Sequence, residues 1–328
     1  MNDLNFCLNL NINQEPAMKS IFSLFICFVC IHFSLLAQNS NFTSENISVS
    51  EFIDGTLLLP NDIQKPPLAI LIAGSGPTDR NGNQNFAKNN SLKKLAEALT
   101  KDGMATFRYD KRSVKLLQTG KLDEEIMFDD FVTDATDVLQ YFKKKKAFSK
   151  IYIIGHSQGS LIGMLAAKDG ANGFISLAGP GKSIDEVLKE QIAKSAPQFS
   201  EESNRIIDIL KSGQTTTDYS PALNSIFNID IQPFMINWIQ YDPQESIAKL
   251  DMPILIINGT NDLQISQADA ELLKSAAPNA QLKIIDKMNH VFIEVDDNEL
   301  ENFKTYNDTS LPISQHLVES ISAFIKSN

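Results

Sequence analysis

Cysteine is scarce in this sequence, and its position restricts the possible chemistry. The 328 residues contain three cysteines, Cys7, Cys27 and Cys30, all near the amino terminus. An apolar run over 21–36 follows a lysine and ends before the small residue Ala37, which is the pattern of an export signal. Cleavage after Ala37 leaves no cysteine, which excludes disulfides, a thiol nucleophile and cysteine-bound zinc in the mature chain.

Residues 1–37 are therefore predicted to be a signal peptide, with Met18 as a candidate start. The alternative is an uncleaved membrane anchor, because the apolar run approaches the length of a spanning helix. The first interpretation predicts a periplasmic or extracellular protein with no stable membrane partner once the signal is removed.

Positively charged residues are also fewer than negatively charged ones. Lysine and arginine total 29 against 40 aspartate and glutamate residues, a net charge of −11. This balance disfavours nucleic acid and anionic lipid as partners, because both need a basic face. No His, Asp and Glu residues show metal-ligand spacing, and the loop AGSGP (73–77) lacks the full spacing of a phosphate-binding loop. We expect neither a metal nor a cofactor.

Short apolar runs alternate with helical patterns along the rest of the chain. Runs such as 151–155 (IYIIG) and 253–259 (PILIING) do not alternate with polar residues, which is typical of strands buried on both faces. Such strands separated by helices predict an α/β fold, a mostly parallel twisted sheet with helices on both faces. Residues 47–59 are interpreted as a hairpin with Asp54-Gly55 as its turn. The other predicted strands are 68–74, 104–110, 174–179 and 281–286, and the predicted helices are 90–101, 128–144, 158–168, 266–277 and 313–326.

One segment, residues 181–250, is too long for an ordinary connection between two strands. Its first half is helical by periodicity, and its second half carries four aromatic residues, for which core positions are favoured over pocket walls: Phe227, Phe234, Trp238 and Tyr241. We expect a helical cap inserted between two parts of one core, 38–180 and 251–328.

The strongest chemical signal is GHSQG at 155–159, a G-x-S-x-G motif between a predicted strand and a predicted helix. A sharp turn at this place exposes the hydroxyl of Ser157, and Gly155 and Gly159 lack the Cβ that would collide across it. Ser157 also lies at a helix amino terminus, which favours developing negative charge. Ser157 is the predicted nucleophile.

A serine hydroxyl becomes nucleophilic when a base removes its proton. His32 lies in the signal segment, the side chain of His156 should point away from that of Ser157, and His316 lies in the terminal helix. His290, which follows the last predicted strand, is therefore the predicted base.

The acid that orients this base should lie between serine and histidine, after another strand. Asp262 fits that order and position. Asp286 is too near His290 on the same strand end, and Asp251 precedes its strand.

Attack on a carbonyl creates an oxyanion that needs two hydrogen-bond donors. The backbone N–H of Gln158, directly after the nucleophile, is one candidate. The backbone N–H of Ser75 is the other, because Gly74 and Gly76 let that loop approach the substrate closely.

Taken together, these motifs resemble one branch of bacterial α/β-hydrolases, whose members are described as esterases or serine-aminopeptidase-like hydrolases. The resemblance covers about 47–325 and is carried by GSGPTDRNGN (74–83), RYDKR (108–112), GHSQG, the stretch 232–243, NGTNDLQIS (258–266) and MNHVF (288–292). It implies the α/β-hydrolase fold, the triad Ser157, Asp262 and His290, the two oxyanion donors above, and a cap between the sixth and seventh core strands. One departure is Ser113-Val114-Lys115, where the family usually has a glycine-containing turn.

The expected function is an exported serine carboxylesterase that cleaves small to medium acyl esters through an acyl-enzyme. A serine aminopeptidase or amidase is an alternative, and it needs acids in the cap to hold an amine: Asp185, Glu186, Glu190, Glu201 and Glu202 are available. A lipase that uses the aromatic stretch 226–241 and a non-catalytic binding protein are further alternatives. The expected partner is a small-molecule ester, and the oligomeric state is not indicated. Structural ion pairing is favoured for a charged cluster that comprises Asp79, Arg80, Arg108 and Asp110.

Overall fold

An eight-stranded sheet forms the centre of the fold. The computed structural model describes residues 41–121 and 125–328, so the predicted signal peptide lies outside the described residues. The strands are Phe42–Ser48 (β1), Asp54–Pro60 (β2), Leu68–Ile72 (β3), Ala105–Tyr109 (β4), Ile151–His156 (β5), Gly173–Leu177 (β6), Ile254–Gly259 (β7) and Gln281–Ile285 (β8). Their order across the sheet is β1-β2-β4-β3-β5-β6-β7-β8.

The sheet is parallel except at one edge. Strands β1 and β2 pair antiparallel with each other, and β2 pairs antiparallel with β4, whereas all other pairs are parallel. Every residue of the strands β3 to β7 is buried, which explains the apolar runs of β3, β5 and β7. The predicted α/β class with a mostly parallel sheet is confirmed.

Helices cover both faces of this sheet. They are Ser91–Lys101 (α1), Arg112–Thr119 (α2), Phe128–Lys145 (α3), Gln158–Ala167 (α4), Ile184–Ser195 (α5), Ser200–Lys211 (α6), Asn224–Phe227 (α7), Gln232–Ile239 (α8), Pro243–Ala248 (α9), Gln267–Ala276 (α10), Glu299–Thr305 (α11) and Gln315–Ser327 (α12). Successive side chains of one strand belong to different apolar clusters. Ile153 belongs to the cluster formed with α3, α4 and α10, whereas Ile154 belongs to the cluster formed with α1 and α12. Across the part of the chain that the structure describes, no helix has both the length and the apolar character needed to cross a membrane.

The amino-terminal hairpin differs from the prediction. Asp54 and Gly55 lie inside β2, and the turn comprises residues 49–53, where the N–H of Val49 donates to the carbonyl of Ile53 over 2.9 Å. A Cβ on Gly55 would lie 2.2 Å from the ring of Phe107, so close packing rather than a turn requires glycine there. The Asp-Gly turn assignment was wrong because the polar edge strand β1 carries no hydrophobic alternation.

Outside residues 181–250, two short helices of the described chain were not predicted. Helix α2 begins at Arg112, the last residue of RYDKR, and lies where the resemblance implies a glycine-containing turn; its C-cap is Gly120, with φ 71°. Helix α11 lies between β8 and α12. Each has fewer than nine residues, so their periodicity is too brief to distinguish from a loop.

Residues 181–250, the inserted segment, connect β6 to β7 and contain α5 to α9. Phe227 is fully buried in an apolar cluster that belongs to this segment. Trp238 stacks on Phe128 of α3 with 5.5 Å between ring centroids, and the Tyr241 hydroxyl donates to Asp129 over 2.5 Å. Phe227 therefore packs inside the inserted segment, whereas Trp238 and Tyr241 attach the segment to the start of α3.

Candidate active site

Ser157 lies at a strained turn between β5 and α4. Its backbone has φ 55° and ψ −125°, and its N–H donates to the carbonyl of Leu177 over 3.0 Å. A Cβ on Gly155 would lie 2.1 Å from the carbonyl oxygen of Gly159, and one on Gly159 would lie 2.5 Å from that of Ile72. Only glycine fits these two positions, and the strained serine between them is the geometry of an exposed nucleophile.

The loop after β3 passes directly beside Ser157. A Cβ on Gly74 would lie 3.1 Å from the Cβ of Ser157. The next carbonyl, that of Ser75, accepts hydrogen bonds from Thr78 Oγ1 and Gln84 Nε2, both over 2.8 Å. The structure thus places the loop that carries Ser75 beside Ser157, which Gln158 directly follows at the start of α4, and hydrogen bonds fix that loop.

His290 and Asp262 are brought together by the adjacent strands β7 and β8. His290 Nδ1 lies 2.8 Å from Asp262 Oδ2, and the side chains are 6% and 1% exposed. Asp262 Oδ1 accepts the backbone N–H groups of Gln264 and Ile265 over 2.8 and 2.9 Å. One carboxylate oxygen is therefore held by the backbone while the other orients the imidazole.

A second histidine lies against His290. The His156 ring is 4.7 Å from the His290 ring, and its Nε2 is 3.0 Å from the His290 carbonyl oxygen. Burial, together with the neighbouring His290, lowers the pKa of His156 well below its usual value. His156 is therefore neutral, and a hydrogen on its Nε2 fixes the backbone of His290.

The loop that carries His290 is also fixed from the side of α11. Asn289 Oδ1 accepts the N–H groups of Val291 and Ile293, and Asn289 Nδ2 donates to Asn302 and Thr305 over 2.9 and 2.8 Å. The helix that was not predicted thus supports the position of His290.

Ser157 and His290 open into one cavity of about 190 Å³. Its other walls include Ser75, Thr78, Gln84, Asn89, Gln264 and Tyr306. Burial and the negative charge of Asp262 raise the pKa of Tyr306 to about 12, so its hydroxyl is neutral at physiological pH. The cavity is thus lined mainly by neutral polar groups.

The competing residues lie elsewhere. Asp286 is exposed and makes one long contact of 3.4 Å with the hydroxyl of Thr260, and Asp251 is exposed before the start of β7. His316 is exposed and pairs with Glu294 over 3.1 Å. None of these described residues lines the cavity at Ser157.

The charged cluster after β3 and β4 holds the loop beside the site. Arg80 binds Asp110 through Nε over 3.0 Å and Nη2 over 2.5 Å. Asp79 Oδ1 accepts the N–H groups of Asn81 and Asn83, both over 2.8 Å, and Arg108 donates to Asn81. These contacts give the cluster a structural role, as the sequence favoured.

The acids of the inserted segment are engaged away from Ser157. Asp185 pairs with Lys211 over 2.6 Å and Glu190 pairs with Lys182 over 2.5 Å. Glu186 accepts from Ser183, and Glu202 accepts from the N–H of Ser220. Neither these four nor Glu201, all within the described residues, lines the cavity.

Sequence reasoning missed one buried cation at this site. Lys111 is 3% exposed, and its Nζ donates to the carbonyl of Gly74 over 3.0 Å and to Gln158 Oε1 over 2.8 Å. The available signal was its place in RYDKR directly after a buried strand. Its two acceptors lie 37 and 47 residues away, which no local pattern reveals.

Residues 88–297 match the family described as serine aminopeptidase, S33. This chain belongs to the serine aminopeptidase S33 family. The match covers the strained serine, the aspartate and the histidine, and it confirms the resemblance drawn from the motifs.

Other proteins are similar to this S33 family chain. Esterase EstD of Thermotoga maritima is 26% identical over 263 residues, which is 77% of this chain and 61% of EstD. This chain thus spans less than two thirds of the length of that relative.

Two solved structures show the same fold. Est1E from Butyrivibrio proteoclasticus covers 87% of this chain, with 98% of Est1E aligned, a TM-score of 0.55 and 19% identity. The Pyrococcus furiosus esterase Pf2001 covers 87% of this chain, with 92% of its own chain aligned, a TM-score of 0.50 and 12% identity. At these identities the likeness shows the α/β-hydrolase fold alone.

Proposed function

We propose that this protein is a serine hydrolase that cleaves carboxylic esters through a covalent acyl-enzyme. The observation that carries the proposal is the strained Ser157, which shares a cavity with a histidine oriented by a buried aspartate. The similarity to EstD, which is named as an esterase, supports the same chemistry.

The reaction has two balanced halves. Ser157 Oγ attacks the ester carbonyl carbon while its proton passes to His290 Nε2, and Asp262 stabilises the resulting imidazolium. The tetrahedral intermediate then collapses, the C–O bond to the alcohol breaks, and the alcohol leaves with the proton from His290. Water repeats the sequence on the acyl-enzyme, releases the carboxylic acid and restores Ser157.

The negative oxygen of each intermediate needs donors placed before the reaction begins. We assign this role to the backbone N–H groups of Ser75 and Gln158. The close passage of Gly74 beside Ser157 and the place of Gln158 at the start of α4 support the assignment.

The cavity favours small uncharged substrates. Its volume of about 190 Å³ lies below the range of roughly 300–1,000 Å³ that is usual for drug-sized ligands, so short acyl groups fit best. An aminopeptidase needs a carboxylate to bind the substrate amine, and the described side chains that line this cavity carry none. Ester cleavage is therefore favoured over aminopeptidase activity.

The proposal also gives roles to the inserted segment and to the predicted signal peptide. We assign residues 181–250 the role of a cap, supported by its five helices and its attachment to α3. The apolar run over 21–36 supports export by a cleaved signal peptide. Sequencing the amino terminus of the secreted protein tests the second assignment: the expected first residue is Gln38, and an intact leader contradicts it.

The proposed activity is tested with p-nitrophenyl acetate and with matched aminoacyl p-nitroanilides. Wild-type protein should hydrolyse the ester faster than the anilides, and Ser157→Ala should reduce ester hydrolysis to background. Ser160→Ala is the matched control, because the Ser160 hydroxyl hydrogen-bonds to the core hydroxyl of Ser176, over 2.8 Å. This variant should keep its esterase activity. Unchanged turnover in Ser157→Ala contradicts the nucleophile, and faster anilide cleavage contradicts the substrate class.

A binding protein on the same fold is an alternative of a different class. Such a protein needs no reactive serine, whereas a hydrolase forms a stable adduct with a fluorophosphonate. We expect wild-type protein, but not Ser157→Ala, to react with the probe.

A further inference from the structure

Lys111 is an unusual residue to find beside a serine nucleophile. It lies between β4 and α2, it is 3% exposed, and its Nζ sits 4.1 Å from the centre of the Phe131 ring. A buried lysine is costly unless it is paired or hydrogen-bonded. Among the described residues, none of the carboxylates forms an ion pair with Lys111, and the nearby Asp134 is bound by Arg112 over 2.7 Å.

The two hydrogen bonds of Lys111 go to the two segments that carry the proposed oxyanion donors. Its Nζ donates to the carbonyl of Gly74, which belongs to the same peptide group as the N–H of Ser75. It also donates to the side chain of Gln158, whose backbone N–H is the second donor. One ammonium or amine group therefore joins both sides of the candidate oxyanion hole.

We infer that Lys111 is a positioning residue that sets the direction of the Ser75 N–H toward the oxyanion and ties this loop to the start of α4 through the side chain of Gln158. The inference rests on the proposed function. A peptide group is planar and trans, so its C=O and N–H point in opposite directions. Holding the Gly74 carbonyl therefore fixes the direction of the Ser75 N–H as well.

The neighbouring contacts make this orientation firm. The Ser75 carbonyl is held separately by Thr78 and Gln84, so the peptide groups on both sides of Ser75 are fixed. Donors that are fixed before the reaction need no reorganisation when negative charge develops, which is the main source of oxyanion stabilisation.

Lys111 also strengthens the donor that it orients. A hydrogen bond to a carbonyl polarises the peptide group, and the N–H at its other end becomes a better donor. Burial lowers the pKa of Lys111 to about 7, against the opposing effect of Asp134. An uncharged amine still has two N–H groups, one for each of its two acceptors, so the positioning does not depend on charge.

The test compares Lys111→Met with Lys115→Met. Lys115 belongs to helix α2 but pairs with Asp54 instead of the loop beside Ser157. Removing one oxyanion donor costs roughly 100- to 1,000-fold in kcat. Because Lys111 acts through such donors, we expect Lys111→Met to lower kcat by roughly 10- to 100-fold with little change in KM. Lys115→Met should keep both constants.

A second readout does not depend on turnover. In protein labelled with ¹⁵N-serine, the chemical shift of the Ser75 amide proton should move upfield in Lys111→Met, because the hydrogen bond that polarises its peptide group is lost. The same chemical shift should be unchanged in Lys115→Met. Lys111→Gln, which keeps one donor, should lie between wild type and Lys111→Met in both readouts, and it replaces Lys111→Met if that variant does not fold.

The outcomes separate this inference from the proposed function. A folded Lys111→Met with wild-type kcat, or an unmoved Ser75 amide proton in the substituted protein, overturns the inference even when the enzyme is an active esterase. The two results can also separate in the other direction. If wild-type protein hydrolyses no ester but the chemical shift of the Ser75 amide proton moves in Lys111→Met, the positioning is supported and the proposed function is contradicted.

Discussion

His290 Nδ1 lies 2.8 Å from Asp262 Oδ2, although the two residues belong to separate strand ends. The parallel strands β7 and β8 pair through Gly259 and Ile285, and the chain then needs three and five residues to reach Asp262 and His290. The contact is thus a consequence of sheet topology, because parallel strands release their following loops at one edge.

This contact predicts that Asp262→Asn loses most activity. An amide at this position can present its N–H₂ to Nδ1 and favour the wrong histidine tautomer, so kcat should fall by roughly 1,000-fold or more. Asp286→Asn is the matched control, since Asp286 is exposed and bonds weakly to Thr260. The measurement is steady-state ester hydrolysis, and equal losses in the two variants contradict the assignment of the acid.

The approach of the β3 loop predicts an effect of Gly74→Ala. The added methyl group would lie 3.1 Å from the Cβ of Ser157, so the loop or the nucleophile must shift by a few tenths of an ångström. We expect kcat to fall by roughly 10-fold or more, because small misplacements at reacting atoms are expensive. Gly213 has open space around it but a φ of 81°, so Gly213→Ala should cost some stability while the folded variant keeps wild-type kcat. A Gly74→Ala enzyme with wild-type kcat contradicts the close approach.

Burial of His156 predicts how stability varies with pH. The pKa of His156 is well below 6.5 in the folded protein. As the pH falls below 6.5, His156 therefore becomes protonated in the unfolded chain but stays neutral in the folded protein. Above about pH 6.5 the titration of His156 leaves the unfolding free energy unchanged. Below that pH it lowers the unfolding free energy by up to about 1.4 kcal/mol per pH unit.

Urea unfolding of wild type and His156→Gln at about pH 7 and about pH 5 checks this dependence. Glutamine keeps a donor for the His290 carbonyl but does not titrate. Wild type should lose more unfolding free energy than the variant on acidification, and parallel losses count against a neutral buried His156.

The contact between the inserted segment and α3 predicts a loss of stability in Trp238→Ala. Trp238 stacks on the fully buried Phe128 with only 4° between the rings. Because Trp238 is only partly buried, we expect a loss of about 2 kcal/mol in unfolding free energy, below the range for a fully buried tryptophan. Phe86→Ala, at a side chain that is 92% exposed, should change stability by less than about 0.5 kcal/mol. Similar values for both variants contradict the anchoring role.

The sequence was most informative where strands are buried on both faces. The run IYIIG and the glycines after it predicted β5 and the turn at Ser157, because the strain of that turn restricts the residues it can contain. The order serine, aspartate, histidine was enough to select Asp262 and His290 from their competitors. Their catalytic roles stay predictions, while the structure places the two side chains in contact.

Features that depend on distant packing could not be predicted. Lys111 contacts residues far along the chain, and Tyr306 reaches the cavity from the C-cap of α11, a short helix that has no clear periodicity. Gly55 was assigned to a turn because a local Asp-Gly pair looks the same whether it turns or packs beneath an aromatic ring. In each case the deciding contact is between residues that are not sequence neighbours.

The most direct test of the account is to trap the acyl-enzyme. Wild-type protein mixed rapidly with a p-nitrophenyl ester, quenched in acid and digested should carry the acyl group on Ser157, as found by tandem mass spectrometry, and the amount should match the initial burst of p-nitrophenol. An acyl group on another residue, or steady ester turnover by wild-type protein with no trapped adduct and no burst, contradicts nucleophilic catalysis by Ser157.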